Sequence, residues 1–125
     1  MPGATFEPFD VVVVPFPFTD KSAFKRRPAL VASSRAFNDR HDHLILAMIT
    51  TAARSDWPSD IHIRDWRAGG LAVPCRVRLK LFTLDRRAIV RRVGSLAAED
   101  REAVGAALSK SLAARPPLAA RPASR

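Results

Sequence analysis

A chain of 125 residues, 47% of them hydrophobic, is long enough to bury one real core, too short for two domains and too apolar for a disordered chain. The single Cys75 excludes an internal disulfide and a cysteine-rich zinc site; no apolar run approaches a bilayer span and no basic-then-apolar leader opens the chain, so a cytoplasmic protein is expected, with no membrane partner. The formal net charge of +9 comes from 21 basic residues, 17 of them arginine, and points to a polyanion, nucleic acid ahead of an acidic protein, unless codon usage alone favours arginine.

The first apolar run, Phe9 to Phe18, reads as a buried strand that must leave its ladder at Pro15 and Pro17, which lack donors. A connection longer than a hairpin turn follows, from Phe16 to Arg26, and loops of that length are functional or disordered. Pro28 to Ser33 reads as a second strand, with proline at its first position. Arg27 then stands at the lip of the sheet, where a guanidinium suits a phosphate. His43 to Thr50 is a third apolar run, suited to a strand covered on both faces. Asp60 to Arg64 alternates, as a half-exposed strand does, and Gly69-Gly70 marks a turn. Val73 to Phe82 alternates again, with Val77, Leu79 and Leu81 on one side and Arg76, Arg78 and Lys80 on the other. Ala88 to Val93 gives a last strand before Gly94.

One helix closes the pattern. Glu99, Asp100 and Glu102 suit its start and Lys110 its end, Ser95 is the expected cap, and Val104, Ala107, Leu108 and Leu112 form the stripe that lies on the sheet. Residues 114–125 repeat a Leu-Ala-Ala-Arg-Pro string begun at Leu112 and read as a disordered basic tail; residues 1–8 read as an extension before the domain at 9–113. Basic residues crowd the stretch from Arg76 to Arg92, seven against the one acid Asp85, as on a binding face. The sum is a mainly β domain, a small curved barrel of five to six strands with a C-terminal helix.

Phe9 to Asp20, Arg26-Arg27-Pro28-Ala29-Leu30-Val31, Met48-Ile49-Thr50 and Lys80-Leu81-Phe82-Thr83-Leu84-Asp85 resemble, in order and spacing, the MazF/PemK toxin family, from about Phe9 to Leu112. The resemblance implies an SH3-like barrel, a homodimer and a sequence-specific endoribonuclease that needs no metal and pairs with an acidic antitoxin. It implies catalytic roles for Arg27 and Thr50, with Thr51 the alternative one position on. Phe9-Asp10 stands where relatives often have Gly-Asp, Cys75 where a serine is common, and Lys80 where a glutamine is. The positions from which some relatives take an Arg and an Asp fall on Val77 and Leu79.

Metal-free cleavage uses the 2′-hydroxyl as nucleophile and leaves a 2′,3′-cyclic phosphate and a 5′-hydroxyl. Arg27, always protonated, suits the charge that develops on the phosphoryl oxygens, and Thr50 suits a donor to one of them. Lys25, Arg26, Thr51, Phe18, Arg78 and Lys80 are the candidates for contact with single-stranded RNA, although Arg76, Arg78 and Lys80 equally describe a solubilising face or an antitoxin contact. His41-Asp42-His43 reads as a turn and not a metal pair, because no third ligand stands at suitable spacing. Trp57 and Trp66 read as loop anchors before base-stacking residues. A barrel that poisons a topoisomerase and a non-catalytic module that binds RNA or an acidic partner remain the alternatives.

Overall fold

The computed structural model describes residues 5–15, 25–53 and 56–113. Six strands form one antiparallel sheet: β1 (Asp10–Pro15), β2 (Arg26–Val31), β3 (His43–Thr51), β4 (Ile61–His62), β5 (Cys75–Asp85) and β6 (Arg91–Ser95), in the spatial order β4-β5-β3-β2-β1-β6. Helix α1 (Arg35–His41) joins β2 to β3, a single 3-10 turn (Arg86–Ala88) precedes β6, and helix α2 (Ala98–Ser111) closes the described chain. The expectation of a curved mainly β domain with a C-terminal helix is met. Register breaks between Val11 and Val12, against β6, and between Ala47 and Met48, against β5, bend the sheet into a half-barrel.

Both sheet faces are covered, which is why β1 and β3 read as unbroken apolar runs. Val11, Leu30, Ala47, Ile49 and Val77 pack under α2 with Leu96 and Val104. On the other face Val12, Val14, Ala29, Val31, Leu44 and Leu46 pack with Phe6. Phe6, placed by sequence in an extension, is a core residue only 8% exposed. Burying a side chain of this size stabilises by about 2 kcal/mol.

Several local expectations are corrected. Pro28 is not the first residue of its strand: β2 starts at Arg26, and Pro28 pairs with Val13. Its missing donor shows on the other side, where the β2–β3 ladder stops at Ala29↔Met48 while the β1–β2 ladder runs on to Pro15↔Arg26. Helix α1 is new, and its cap is visible in the sequence: the Ser34 hydroxyl accepts from the Phe37 amide at 3.1 Å. Buried Asn38 on α1 donates to the Phe6 carbonyl at 3.0 Å and so ties the N-terminal segment down. Ser95 belongs to β6 and does not cap α2; Ala97 occupies that position without a side-chain bond. Instead the buried Asp100 accepts from the Arg64 and Asp65 amides, both at 2.9 Å, and binds α2 to the segment after β4. Leu112 leaves the stripe and is 47% exposed.

Phe9 explains its own departure from the Gly-Asp pattern. Its φ is +73°, a region that favours glycine, and the ring compensates by packing on the core under α2, beside Gly105.

Candidate active site

Strand alternation puts the two predicted catalytic residues on one face of the sheet. Ala29 on β2 faces Met48 on β3 in the last rung of their ladder, and Arg27 and Thr50 each lie two residues further along their strands, on the same side as that rung. Residues two apart on a strand project to the same face of a sheet. That face is the one carrying Ala29, Val31 and Leu46, and Arg27 and Thr50 stand at its open end, both partly exposed. Thr51, the alternative hydroxyl, points to the opposite face by strand alternation and pairs with Cys75. Arg26 alternates in the same way against Arg27 and is exposed, as is Lys25 just before the strand. Phe18 lies outside the described residues.

Beside Thr50, β5 supplies charge that the sequence reading offered to RNA, to a solubilising face or to an antitoxin. Arg76 is the ladder partner of Thr50 and Arg78 that of Met48, so both lie on the Thr50 face, whereas Val77 pairs with Ile49 and turns away. Arg76 and Arg78 are 2% and 8% exposed, so neither belongs to a solvated stripe. Arg78 holds Asp60 in a two-point fork, Nε to Oδ1 at 3.1 Å and Nη2 to Oδ2 at 2.8 Å. Arg76 Nη1 lies 3.6 Å from the same Asp60 carboxylate and also binds Asp56, while Nη2 donates to the Ala52 carbonyl. The two arginines therefore strap the segment after β3 onto the sheet next to Thr50. Lys80 is exposed and falls in the β5 bulge, where Leu79 and Lys80 have no counterpart on β3.

Burial alone would raise the Asp60 pKa. The hydrogen bond from Arg78, the Trp57 amide and the nearby positive charge more than offset it, and the carboxyl is held below its ordinary value. The partner effect on Arg78 is a raised pKa, led by the Asp60 hydrogen bond. Sequence reading missed this network because its acids come from the Asp56-Trp57-Pro58-Ser59-Asp60 turn, outside the basic stretch; the signal was an acid at each end of a proline turn.

The tryptophans part company. Trp66 packs against the core under α2 as a loop anchor. Trp57, 41% exposed, lies on the Thr50 face with the Arg78 guanidinium 5.2 Å from its ring centroid.

The opposite end of the sheet holds a cleft of about 430 Å³ lined by His41, Asp42, His43, Asp85, Arg86 and Arg87. His43 and Thr50 sit at opposite ends of β3, about 23 Å apart at about 3.3 Å per residue. His43 Nδ1 lies 2.8 Å from the His41 carbonyl, and the acids pair with Arg86 and Arg87; His41 ends α1, Asp42 is its left-handed cap and His43 opens β3, so the His-Asp-His string is the junction from helix to strand. Among the described residues no group of three or more His, Cys, Asp or Glu could hold a metal ion. Cys75 is buried with its thiol pKa raised by desolvation, and its sulfur donates to the Val73 carbonyl at 3.3 Å, the behaviour of a packing residue.

Residues 7–112 match the model of the PemK-like, MazF-like toxins of type II toxin–antitoxin systems. The chain belongs to this family. No curated protein sequence matches it significantly. Among solved structures it is similar to an endoribonuclease in complex with its cognate antitoxin from a mycobacterial species, with a TM-score of 0.69 and 16% identity over 90% of this chain and 98% of that one. It is also similar to MazF from Deinococcus radiodurans, with a TM-score of 0.65 and 22% identity over 86% of this chain and 96% of that one. A MazE–MazF complex from the same organism gives a TM-score of 0.68 at 20% identity, over 86% and 95% of the two chains. The fold and family implied by the sequence resemblance are thus found in the protein.

Proposed function

We propose that this toxin-family chain is a metal-independent endoribonuclease that cuts single-stranded RNA at a short sequence. In this reading it acts in the cytoplasm as a homodimer and is silenced by a cognate acidic antitoxin. The observation that supports it is that strand alternation puts Arg27 of β2 and Thr50 of β3 on one face of the sheet, within a chain of the PemK/MazF-like family.

The substrate 2′-oxygen attacks the adjacent phosphorus and gives up its proton, while the bond to the 5′-oxygen breaks and that oxygen gains one. The products are a 2′,3′-cyclic phosphate and a 5′-hydroxyl. Negative charge grows on the phosphoryl oxygens along this path, so a fixed donor there favours the transition state over the ground state. Arg27 offers a permanently charged fork, and Thr50 a neutral hydroxyl that donates to a second oxygen. Buried Arg76, across the ladder from Thr50, is ion-paired with Asp56 and Asp60 and serves to hold the strand and turn beside Thr50. Lys25, Arg26 and Lys80 would track the phosphate backbone. Arg78 serves the site from below, through the turn that it holds. Unpaired strands suit a reader of base edges, since their bases can be splayed out.

A defined single-stranded RNA incubated with EDTA tests the reading. Cleavage with cyclic-phosphate ends is expected, slowed about a hundredfold in Arg27→Ala, as for loss of one oxyanion donor. Arg27→Lys should recover little, because an ammonium cannot reproduce the fork. Wild-type rates in Arg27→Ala reject the site. Toxicity in cells without any RNA cleavage favours the topoisomerase alternative.

A further inference from the structure

Trp57 is the one aromatic residue among the large apolar side chains that stay exposed within the described structure; the others are Val73, Val90 and Leu112. Its exposure is not that of a loose loop tip. The Trp57 amide donates to Asp60 Oδ2 at 3.0 Å and the Asp60 amide donates back to the Trp57 carbonyl at 3.0 Å, closing a turn that contains Pro58. Asp60 is locked in turn by the Arg78 fork, and the Arg78 guanidinium lies over one side of the indole. Trp66, by comparison, is partly buried and packs against the core cluster. Trp57 is fixed from beneath by a buried cation and left 41% open.

Its position is equally specific. Arg78 projects from the face that carries Thr50, and Arg76, the ladder partner of Thr50, lies 3.6 Å from the carboxylate that shapes the Trp57 turn. The Trp57 turn is therefore tied, through the Asp60 carboxylate, to the arginine that pairs with Thr50 on the ladder. We propose that Trp57 is the stacking platform for a substrate base flanking the scissile bond. The Arg78–Asp60 fork is its positioning device, and the chemistry recognised is the flat face of an unpaired nucleobase. A π face accepts any base, so the platform supplies affinity and register while edge contacts elsewhere choose the sequence. Holding the ring in advance removes part of the ordering cost of binding. This inference rests on the ribonuclease reading and deepens it.

The test uses full-length Trp66→Phe protein, in which Trp57 is the sole remaining tryptophan. The probe is a short mixed-sequence single-stranded RNA, 2′-O-methylated so that it binds without being cut. Stacking should quench the Trp57 emission, and the same RNA annealed to its complement should not. Trp57→Ala should weaken binding about tenfold, within the range of one base–aromatic stack, and raise KM on unmodified RNA by a similar factor. Trp57→Phe, which keeps a ring on Arg78, should recover most of the loss. Unquenched emission together with wild-type affinity in Trp57→Ala, in a protein that still cuts RNA, overturns the platform and leaves the ribonuclease reading standing. A protein that neither binds nor cuts RNA removes both. Emission that responds to an acidic antitoxin peptide but not to RNA makes Trp57 a partner contact and overturns the platform.

Discussion

Arg78 grips Asp60 with Nε and Nη2 at 3.1 and 2.8 Å, and at the far end of β5 Arg87 grips Asp85 with the same two nitrogens at 3.2 and 2.9 Å. The forks match in geometry and differ in surroundings. The Arg78 and Asp60 side chains are 10% and 4% exposed, those of Arg87 and Asp85 88% and 34%. At Asp60, desolvation is the largest influence and opposes ionisation, so the carboxyl falls below its ordinary value only because its partners outweigh burial. At Asp85 the Arg87 side-chain hydrogen bond leads, the Arg87 amide follows, and the carboxyl sits well below the usual range. The exposed acid shows the plainer depression, yet its fork lies open to water and salt, which offset most of what the contact gains. In the buried fork the charges depend on each other, since neither has water to fall back on. Depth, and not shape, separates a structural strap from a surface ornament.

Removing one side of the buried fork should give the largest effect. Asp60→Ala leaves Arg78 and Arg76 without the carboxylate between them, and breaking a buried pair in this way costs about 3–5 kcal/mol. Urea unfolding followed by far-UV circular dichroism measures it. A loss under about 1 kcal/mol would mean that water enters freely and that the contrast between the forks is false. Asp60→Asn keeps the shape of the turn and should fall between the wild type and Asp60→Ala.

A smaller effect follows from acidification. The folded-state pKa of Asp60 lies below its ordinary value of 3.8, so the fork contributes its full stability above that value and loses it as pH falls through the lowered folded pKa. Stability measured from neutral pH downward should therefore decline below about pH 4, with part of the decline assigned to Asp60. In Asp60→Asn that part vanishes and the acid limb flattens. An unchanged limb would show that Asp60 titrates alike in folded and unfolded chains, contrary to the lowering described here.

The same contrast shows what could be read from the chain. Strands and face were legible: the apolar runs at Val11–Val14 and His43–Thr50 announce doubly covered strands, and alternation along β2 and β3 puts Arg27 and Thr50 on one face. Charge was not. The stretch from Arg76 to Arg92 looks like a basic face when acids are counted nearby in sequence. In the fold Asp10, Asp42, Asp56 and Asp60 arrive from other elements to pair with Arg92, Arg86, Arg76 and Arg78. Alternation placed Arg76 and Arg78 correctly on one side of β5, but it could not tell that this side is roofed by the Asp56–Asp60 turn. Helix α1 was missed because seven residues hold too little periodicity to outweigh a turn-rich composition. Only Ser34 marked it.

Cutting the exposed fork should give the smallest effect and completes the comparison. Arg87→Ala removes both side-chain bonds to Asp85, while the residue 87 amide, which donates to Asp85 Oδ1 at 2.8 Å, survives the substitution and keeps the cap of the 3-10 turn. Nothing is then buried without a partner, so the Tm should stay within a degree or so of the wild type, as for most surface pairs. What small difference exists at low ionic strength should vanish as salt rises, because the screening length shrinks to about 3 Å at 1 M. The loss in Asp60→Ala should persist across the same series. A Tm drop in Arg87→Ala that rivals the buried variant and ignores salt would show that solvent exposure does not govern these forks.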